Sequence, residues 1–323
     1  MKKIALLTSG GDAPGMNAAV RAIVKTCIHL GITPVGIMDG FQGMVDGRMR
    51  QLYYTDVDNI IQLGGTILGS ARCESFRTLE GRKIASAHLV EEGINGLIVI
   101  GGDGTYAGAN QLGREMNLPI IGLPGTIDND IYGTDFTIGF DTALNTVVEA
   151  VDRIRDTATS HHRVFFVEVM GRDAGFLALH AALATGAELA LIPEEITDIN
   201  KLIDDIKHHN KGRRSTIIIV AEGDDAGHSL EILNKVKPHL PEYDLRHSVL
   251  GHIQRGGSPT AKDRILATRM GSYAVELLIS GESQVTIGVR GEQLIVNPIE
   301  KATKEYASPN LNDIELLSIL RTK

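Results

Sequence analysis

Short apolar runs recur along the chain, each closed by a glycine-rich or polar turn and followed by residues at helical spacing. Residues 4–7 lead into Thr8-Ser9-Gly10-Gly11-Asp12-Ala13-Pro14-Gly15, then into a helical stretch through Val20 and Val24. Further runs fall at 35–38, 97–100 and 120–123, and the run at 97–100 ends in Gly101-Gly102-Asp103-Gly104-Thr105. Continuous apolar runs of this length read as buried parallel strands. Their alternation with helical stretches predicts an α/β fold, with helices on both faces of a mostly parallel sheet. Leu144, Val147, Val148, Val151 and Ile154 predict a long helix over 141–158 that crosses into a second lobe. Strands at 164–169, 189–192 and 216–221 would build that lobe. A third region begins near Gly251, where Ser258 as N-cap and Pro259 in the first turn predict a helix carrying Ile265, Leu266, Met270, Leu277 and Leu278. The turn Gly171-Arg172-Asp173-Ala174-Gly175 echoes the first glycine turn, as duplicated lobes or the shared chemistry of strand-to-helix turns would make it do.

A chain of 323 residues exceeds one ordinary core and agrees with two lobes. A net charge of −8 disfavours non-specific binding to nucleic acid or an anionic membrane. Trp is absent and aromatics are 4%, which leaves little for base stacking. Cys27 and Cys73 are the only cysteines, too few for a disulfide framework or a Cys-based zinc site, and they suit a reducing cytoplasm. The apolar run after Met1-Lys2-Lys3 stops at Thr8, short of a signal-peptide core, and no later run could span a bilayer.

The densest polar chemistry follows the run at 120–123, in Pro124-Gly125-Thr126-Ile127-Asp128-Asn129-Asp130. Carboxyl ends of strands open onto the ligand crevice of such sheets. In an extended segment Asp128 and Asp130 would point the same way, and like charges so close need a cation, an arginine or a substrate hydroxyl between them. One carboxylate could take the proton of an attacking hydroxyl. Gly101 to Thr105 would let backbone amides approach phosphates, and Asp103 could hold Mg²⁺ together with them. Gly10-Gly11-Asp12 opens a helix and could face an anion, although no Walker A lysine follows. Arg72, Arg163, Arg172, Arg246 and Arg255, with His252, stand beside glycine-rich strand ends and suit phosphate binding, while the acceptor Glu222 could bind sugar hydroxyls.

Together these motifs, with Leu250-Gly251-His252-Ile253-Gln254-Arg255-Gly256-Gly257-Ser258-Pro259-Thr260, Thr137 to Ala143 and Ile154 to Ala158, resemble the bacterial ATP-dependent 6-phosphofructokinases over nearly the whole chain. The resemblance implies two doubly wound lobes with the active site in the cleft between them: an ATP lobe of 1–139 plus 253–300, and a fructose 6-phosphate lobe of 140–252 plus 301–323. It implies transfer of the ATP γ-phosphoryl to the 1-hydroxyl of fructose 6-phosphate, in the cytoplasm, by a homotetramer. Asp128 would be the general base, with Thr126 and Asp130 holding the sugar and the metal side. Asp103 would bind Mg²⁺, and Gly11, Arg72, Cys73, Gly102, Gly104 and Thr105 the ATP. Arg72 would also stand near the transferring phosphoryl, and Arg172 belongs with the catalytic set. Ile127, Met170, Gly171, Arg172, Glu222, His252, Ile253, Gln254 and Arg255 would bind the sugar phosphate, reached also by Arg163 and Arg246 from a neighbouring subunit.

The same resemblance implies ADP and phosphoenolpyruvate as effectors. Arg21, Ala22, Ile23, Val24, Lys25, Arg155, Gly186, Ala187, Glu188, Lys211, Arg213, Arg214 and Ser215 fall on matching positions. Lys25 and Tyr54 stand where arginines occur in relatives, and His162 stands where strongly inhibited members commonly have Glu. Gly104 and Gly125 replace the Asp and Lys typical of pyrophosphate-dependent relatives and speak for ATP. The alternatives are a pyrophosphate-dependent enzyme, a kinase of the NAD-kinase or lipid-kinase type, and a non-catalytic nucleotide-sensing subunit. The second leaves 126–130 and 250–260 unexplained.

Overall fold

The computed structural model describes residues 1–161, 163–209 and 215–321. The chain runs β1 (Lys3–Thr8), α1 (Met16–His29), β2 (Thr33–Ile37), α2 (Gly40–Val45), β3 (Met49–Gln51), α3 (Leu79–Glu91), β4 (Gly96–Gly101), α4 (Asp103–Met116), β5 (Ile120–Thr126) and β6 (Ile138–Gly139). It continues through α5 (Phe140–His161), β7 (Arg163–Val169), α6 (Phe176–Thr185), β8 (Leu189–Leu191), α7 (Ile199–His209), β9 (Thr216–Ala221), α8 (Ser229–Val236) and β10 (Asp244–Val249). Last come α9 (Ala261–Ser280), β11 (Val285–Arg290), β12 (Gln293–Pro298) and α10 (Asn312–Arg321). These elements divide between two units. One comprises Met1–Ile127, Ile131–Thr142 and Arg255–Ala307; the other comprises Asp128–Asp130, Ala143–Gln254 and Ser308–Lys323.

The first unit is built on an eight-stranded sheet in the order β12-β11-β5-β4-β1-β2-β3, with β6 beside β5. The strands from β11 to β2 pair in parallel, and antiparallel β12 and β3 close the two edges. Every residue of β4 and β5 is buried, which explains their unbroken apolar runs. Ala5, Leu7, Val35, Ile37, Val99 and Tyr106 belong to one continuous core. Helices α1 and α9 approach so closely that a Cβ on Gly271 would stand 2.8 Å from the Ala19 carbonyl oxygen. After β1 the chain lays β2 on one side and later β4 on the other, so the topological switch point falls between β1 and β4.

The second unit carries a four-stranded parallel sheet in the order β10-β7-β9-β8. Val164, Phe166, Ile206, Ile218, Val220 and Ile232 lie in its core. Its switch point lies between β7 and β10, because the chain leaves β7 toward β8 and returns on the far side. Among the described residues no helix is long and apolar enough to cross a membrane.

Four local expectations change. Strand β5 runs to Thr126, three residues past the apolar run, because Gly125 and Thr126 pair with β6. The helix expected from Ser258 starts at Ala261: Thr260 is its N-cap and accepts from Asp263 N at 3.3 Å, while the Ser258 hydroxyl donates to the Gln62 carbonyl at 2.8 Å. Gly10 and Gly11 lie in a loop that reaches α1 only after Gly15, so they do not open the helix directly. Finally, Asn129 has φ +58°, a left-handed conformation that interrupts extended backbone. The alternation that would align Asp128 with Asp130 therefore does not hold.

Candidate active site

The loops after β1 and β4 meet at the switch point of the first unit. Ser9 N donates to the Ile100 carbonyl at 3.0 Å, and a Cβ on Gly101 would fall 2.4 Å from Thr105 Oγ1 and 2.5 Å from the Ser9 carbonyl oxygen. Gly101 is thus a packing glycine. Its neighbours Gly102 and Gly104 differ: a Cβ on either would meet nothing within 4 Å. No packing in the chain demands a missing side chain there, and the open space lies where α4 begins and its free N–H groups favour an anion. Asp103 is the first residue of α4, half-buried, and accepts from the Tyr306 hydroxyl at 3.3 Å. Thr105 is buried beside Gly101 and Gly10.

Gly11 has another reason. A Cβ there would lie 2.3 Å from Arg255 Nη1, whose guanidinium also donates to the Asp12 carbonyl at 3.2 Å. The β1 loop therefore seats Arg255. Arg72 is exposed and Cys73 half-buried in the loop preceding α3.

Strand β5, next to β4, ends at Thr126. Thr126, Ile127, Asp128, Asn129 and Asp130 are all buried, with Asp128 at 3% exposure. A carboxylate so far from water carries a desolvation cost that its neighbours must offset. The Thr137 hydroxyl donates to the Thr126 carbonyl at 2.6 Å, fixing the strand end. Gly125 is also a packing glycine, since its Cβ would fall 2.9 Å from Ile100 Cγ2 and 3.0 Å from Met16 Cε.

Two residues that the sequence reading did not single out complete this region. Asp263, 1% exposed, accepts from Gly139 N (2.9 Å), Thr142 N (2.8 Å) and the Thr142 hydroxyl (2.5 Å). Burial pushes its carboxyl up, against the pull of these donors. Thr260 donates to Asp141 Oδ2 at 2.7 Å. The sequence does contain a signal for this pair, a Thr-x-x-Asp capping spacing, but not the identity of the helix that Asp263 caps.

In the second unit Met170, Gly171, Arg172, Glu222 and 251–254 gather at the carboxyl ends of β7, β9 and β10. Glu222 Oε1 accepts from Gly171 N (3.2 Å) and Arg172 N (2.8 Å), so Glu222 holds the turn that presents Arg172. That turn is constrained: Arg172 has φ +52° and its side chain is exposed. Gln254 is fully buried, accepts from Met170 N at 3.2 Å and donates to the Gly251 carbonyl at 2.9 Å. His252 and Ile253 are exposed.

Arg163 and Arg246 are elsewhere. Arg163 opens β7, and both guanidinium groups converge on Asp244 at the start of β10, at 2.7 and 3.0 Å. They hold the Asp244 carboxyl below the usual carboxylate range, chiefly through the hydrogen bond from Arg163. Seven-residue β7 separates this cluster from Met170 and Arg172 by about 20 Å, at roughly 3.3 Å per residue.

The effector candidates divide similarly. On α1, Ala22, Ile23 and Val24 are buried in the core, while Arg21 and Lys25 are half-buried one turn apart. Lys25 Nζ lies 3.7 Å from the Tyr54 ring centroid and 3.4 Å from Asp58 Oδ1. At the amino end of β8 and β9, Arg155 donates to the Thr185 carbonyl (2.9 Å), Glu188 accepts from Ile217 N (2.7 Å), and Ser215 Oγ is 3.2 Å from Thr159 Oγ1. Gly186 caps α6 with φ +62°, and buried Ala187 follows it. His162, Lys211, Arg213 and Arg214 lie outside the described residues.

Comparison with known proteins gives a consistent result. A family model described as Phosphofructokinase matches residues 3–278. ATP-dependent 6-phosphofructokinase 2 of Bacteroides thetaiotaomicron is 52% identical over 305 residues, covering 94% of this chain and 94% of that protein. ATP-dependent 6-phosphofructokinase 1 of Thermus thermophilus is 51% identical over 321 residues, 99% of each. Among solved structures, phosphofructokinase from Saccharomyces cerevisiae superposes with a TM-score of 0.89 at 37% identity, over 99% of this chain; the chain spans about half, 48%, of that one. With residues 3–278 matched and half of all positions shared with full-length relatives, the chain belongs to the phosphofructokinase family.

Proposed function

We propose that the chain is an ATP-dependent 6-phosphofructokinase, passing the γ-phosphoryl of ATP to the 1-hydroxyl of fructose 6-phosphate in glycolysis. One observation carries the reading. The open Gly102-Asp103-Gly104 cradle and the buried segment from Thr126 stand at the ends of adjacent strands β4 and β5, beside a topological switch point. Phosphoryl transfer needs positioning and charge neutralisation more than covalent chemistry, and this arrangement offers both.

In this reading the α4 N-terminus and the amides of Gly102, Gly104 and Thr105 bind the ATP phosphates, with Gly11, Arg72 and Cys73 along the nucleotide. Asp128 accepts the proton of the attacking hydroxyl. Thr126, Ile127 and Asp130 hold the sugar beside it. Glu222 and Gln254 brace the turn and the β7 end from which Arg172 and Met170 meet the ligand; Gly171, His252 and Ile253 belong to the same surface, and Arg255 is a further proposed sugar-phosphate ligand. Arg72 and Arg172 offset charge on the phosphoryl group.

The residues fit Mg²⁺. Asp103, half-buried at the start of α4 between two open glycines, offers one carboxylate. Mg²⁺ is commonly held by one or two carboxylates plus substrate phosphates, so a metal arriving with the nucleotide would take Asp103 and the phosphates. When bound, Mg²⁺ neutralises phosphate charge.

Arg163 begins β7, about 20 Å along the strand from its far end, and its guanidinium is held there by Asp244, away from Arg172. This supports a homotetramer in which each subunit lends Arg163 and Arg246 to a neighbour. ADP and phosphoenolpyruvate are the proposed effectors, at Arg21, Lys25, Arg155, 186–188, Lys211, Arg213, Arg214 and Ser215. With His162 before Arg163, phosphoenolpyruvate inhibition is expected to be weak. The proposed setting is the cytoplasm, and 1–139 with 253–300 is the proposed ATP lobe.

A coupled assay for fructose 1,6-bisphosphate tests the reading, with ATP, pyrophosphate, NAD and lipid offered in turn. Activity with pyrophosphate but not ATP would overturn the donor; phosphorylation of NAD or lipid instead of fructose 6-phosphate would overturn the acceptor. Asp128→Asn is expected to lower kcat by roughly 10²–10⁴ with little change in the fructose 6-phosphate KM. Near-normal turnover would remove Asp128 as the base.

A further inference from the structure

We infer that Asp263 is a positioning residue for the phosphoryl transfer: by fixing Gly139 and Thr142 it clamps β6 against the end of β5 and sets where Thr126 and Asp128 stand. The inference rests on the proposed roles of those two residues. Strand β6 is only two residues long, Ile138 and Gly139, and its ladder partners are Gly125 and Thr126. So short a strand cannot hold its own position. What holds it is Asp263, through Oδ1 on Gly139 N, while Oδ2 takes Thr142 N and the Thr142 hydroxyl. One residue before β6, the Thr137 hydroxyl reaches the Thr126 carbonyl at 2.6 Å. A continuous route of directional bonds therefore runs from α9 through β6 to the strand end two residues before Asp128.

The anchor is stiff at its root. Thr260 N donates to Thr142 Oγ1 at 3.0 Å, and the Thr260 hydroxyl donates to Asp141 Oδ2 at 2.7 Å, so the first turns of α5 and α9 bind each other at several points. A Cβ on Gly15, which precedes α1, would lie 3.6 Å from Asp263 Cβ and 2.8 Å from Ile138 Cγ2. The loop carrying Gly11 thus ends against the residues that fix β6. A buried carboxylate is a costly way to fill space, whereas three bonds from one carboxylate define a position in three directions. Placement matters here because a displacement of about 1 Å at a reacting group can cost on the order of 10²-fold in rate.

The test uses the full-length enzyme and its Asp263→Asn, Thr137→Val and Asp128→Asn variants. Asp263→Asn keeps size and one acceptor but cannot accept from all three donors. Its kcat per folded site is expected to fall by roughly 10- to 100-fold, with the KM for ATP and fructose 6-phosphate within about twofold of the parent. Thr137→Val is expected to fall in the same direction, and the double variant by less than the product, since both cut one route. A purely structural role would lower the melting temperature and leave kcat per folded site unchanged in Asp263→Asn; that result, with Asp128→Asn impaired, overturns the inference alone. If Asp263→Asn does not fold, Thr137→Val decides: parental kcat overturns the inference, and a tenfold loss at unchanged KM supports it. Near-normal Asp128→Asn turnover overturns the proposed base and this inference with it.

Discussion

Gly104 and Gly125 look equivalent in sequence and are not equivalent in the structure. A side chain at 104 enters open space; one at 125 collides with Ile100 and Met16. Gly104→Asp is therefore expected to fold and melt like the parent while the KM for ATP rises, because a carboxylate would face the phosphates. Gly125→Lys is expected to destabilise the fold, with overpacking costing about 1–3 kcal/mol, visible as a lowered denaturation midpoint whether or not ligand is present. Equal melting of the two variants would remove the distinction. The cysteines differ in the same residue-by-residue way. Burial pushes the Cys27 thiol up to about 12, whereas Cys73 is partly exposed. Iodoacetamide at pH 8 is expected to alkylate Cys73 in the native protein and to reach Cys27 only after denaturant is added, as peptide mapping would reveal. Protection of Cys73 by ATP would further support its proposed place along the nucleotide.

At the scale of elements, the Thr260 cap is a sharper test than the Ser258 hydroxyl. Thr260→Ala loses the acceptor for Asp263 N and the donor to Asp141, and is expected to cost about 1–2 kcal/mol in denaturant unfolding. Ser258→Ala loses only bonds to a loop and to Arg264, and should cost less. What the sequence made legible follows from burial. Strands β1, β4, β5, β7 and β9 are central, nearly all of their residues are buried, and their apolar runs announce them. Edge strands β3 and β10 were silent for the converse reason: Asp244-Leu-Arg-His-Ser-Val shows a half-exposed, mostly polar face, and Met49-Arg-Gln is three residues long. The glycine and acid motifs were visible because they are local in sequence, although packing accounts for Gly101 and Gly125 while Gly102 and Gly104 face open space. The bracing roles of Glu222, Gln254 and Asp263 were not visible, because each depends on a partner 50 to 124 residues away that only the fold supplies.

At the scale of the whole molecule, strand β7 has an arginine proposed to meet the sugar phosphate near each end, Arg163 at one and Arg172 just past the other. If neighbours exchange these ends, a subunit carrying Asp128→Asn and one carrying Arg163→Ala should complement each other. Co-expressed, the two inactive variants are expected to recover a fraction of parental activity in mixed assemblies, separable on tagged columns; none at all would deny the shared site. The division of the chain carries a different consequence, for synthesis. The first unit needs β11, which pairs with β5, and α9, which packs on α1, yet both follow the whole of the second unit's β-sheet in the chain. A nascent chain halted before residue 261 would present β5 to solvent with its β11 side unpaired, an open edge of the kind that invites aggregation. Completion of the sheet around β5 is thus deferred until β11, at Val285–Arg290, has left the ribosome.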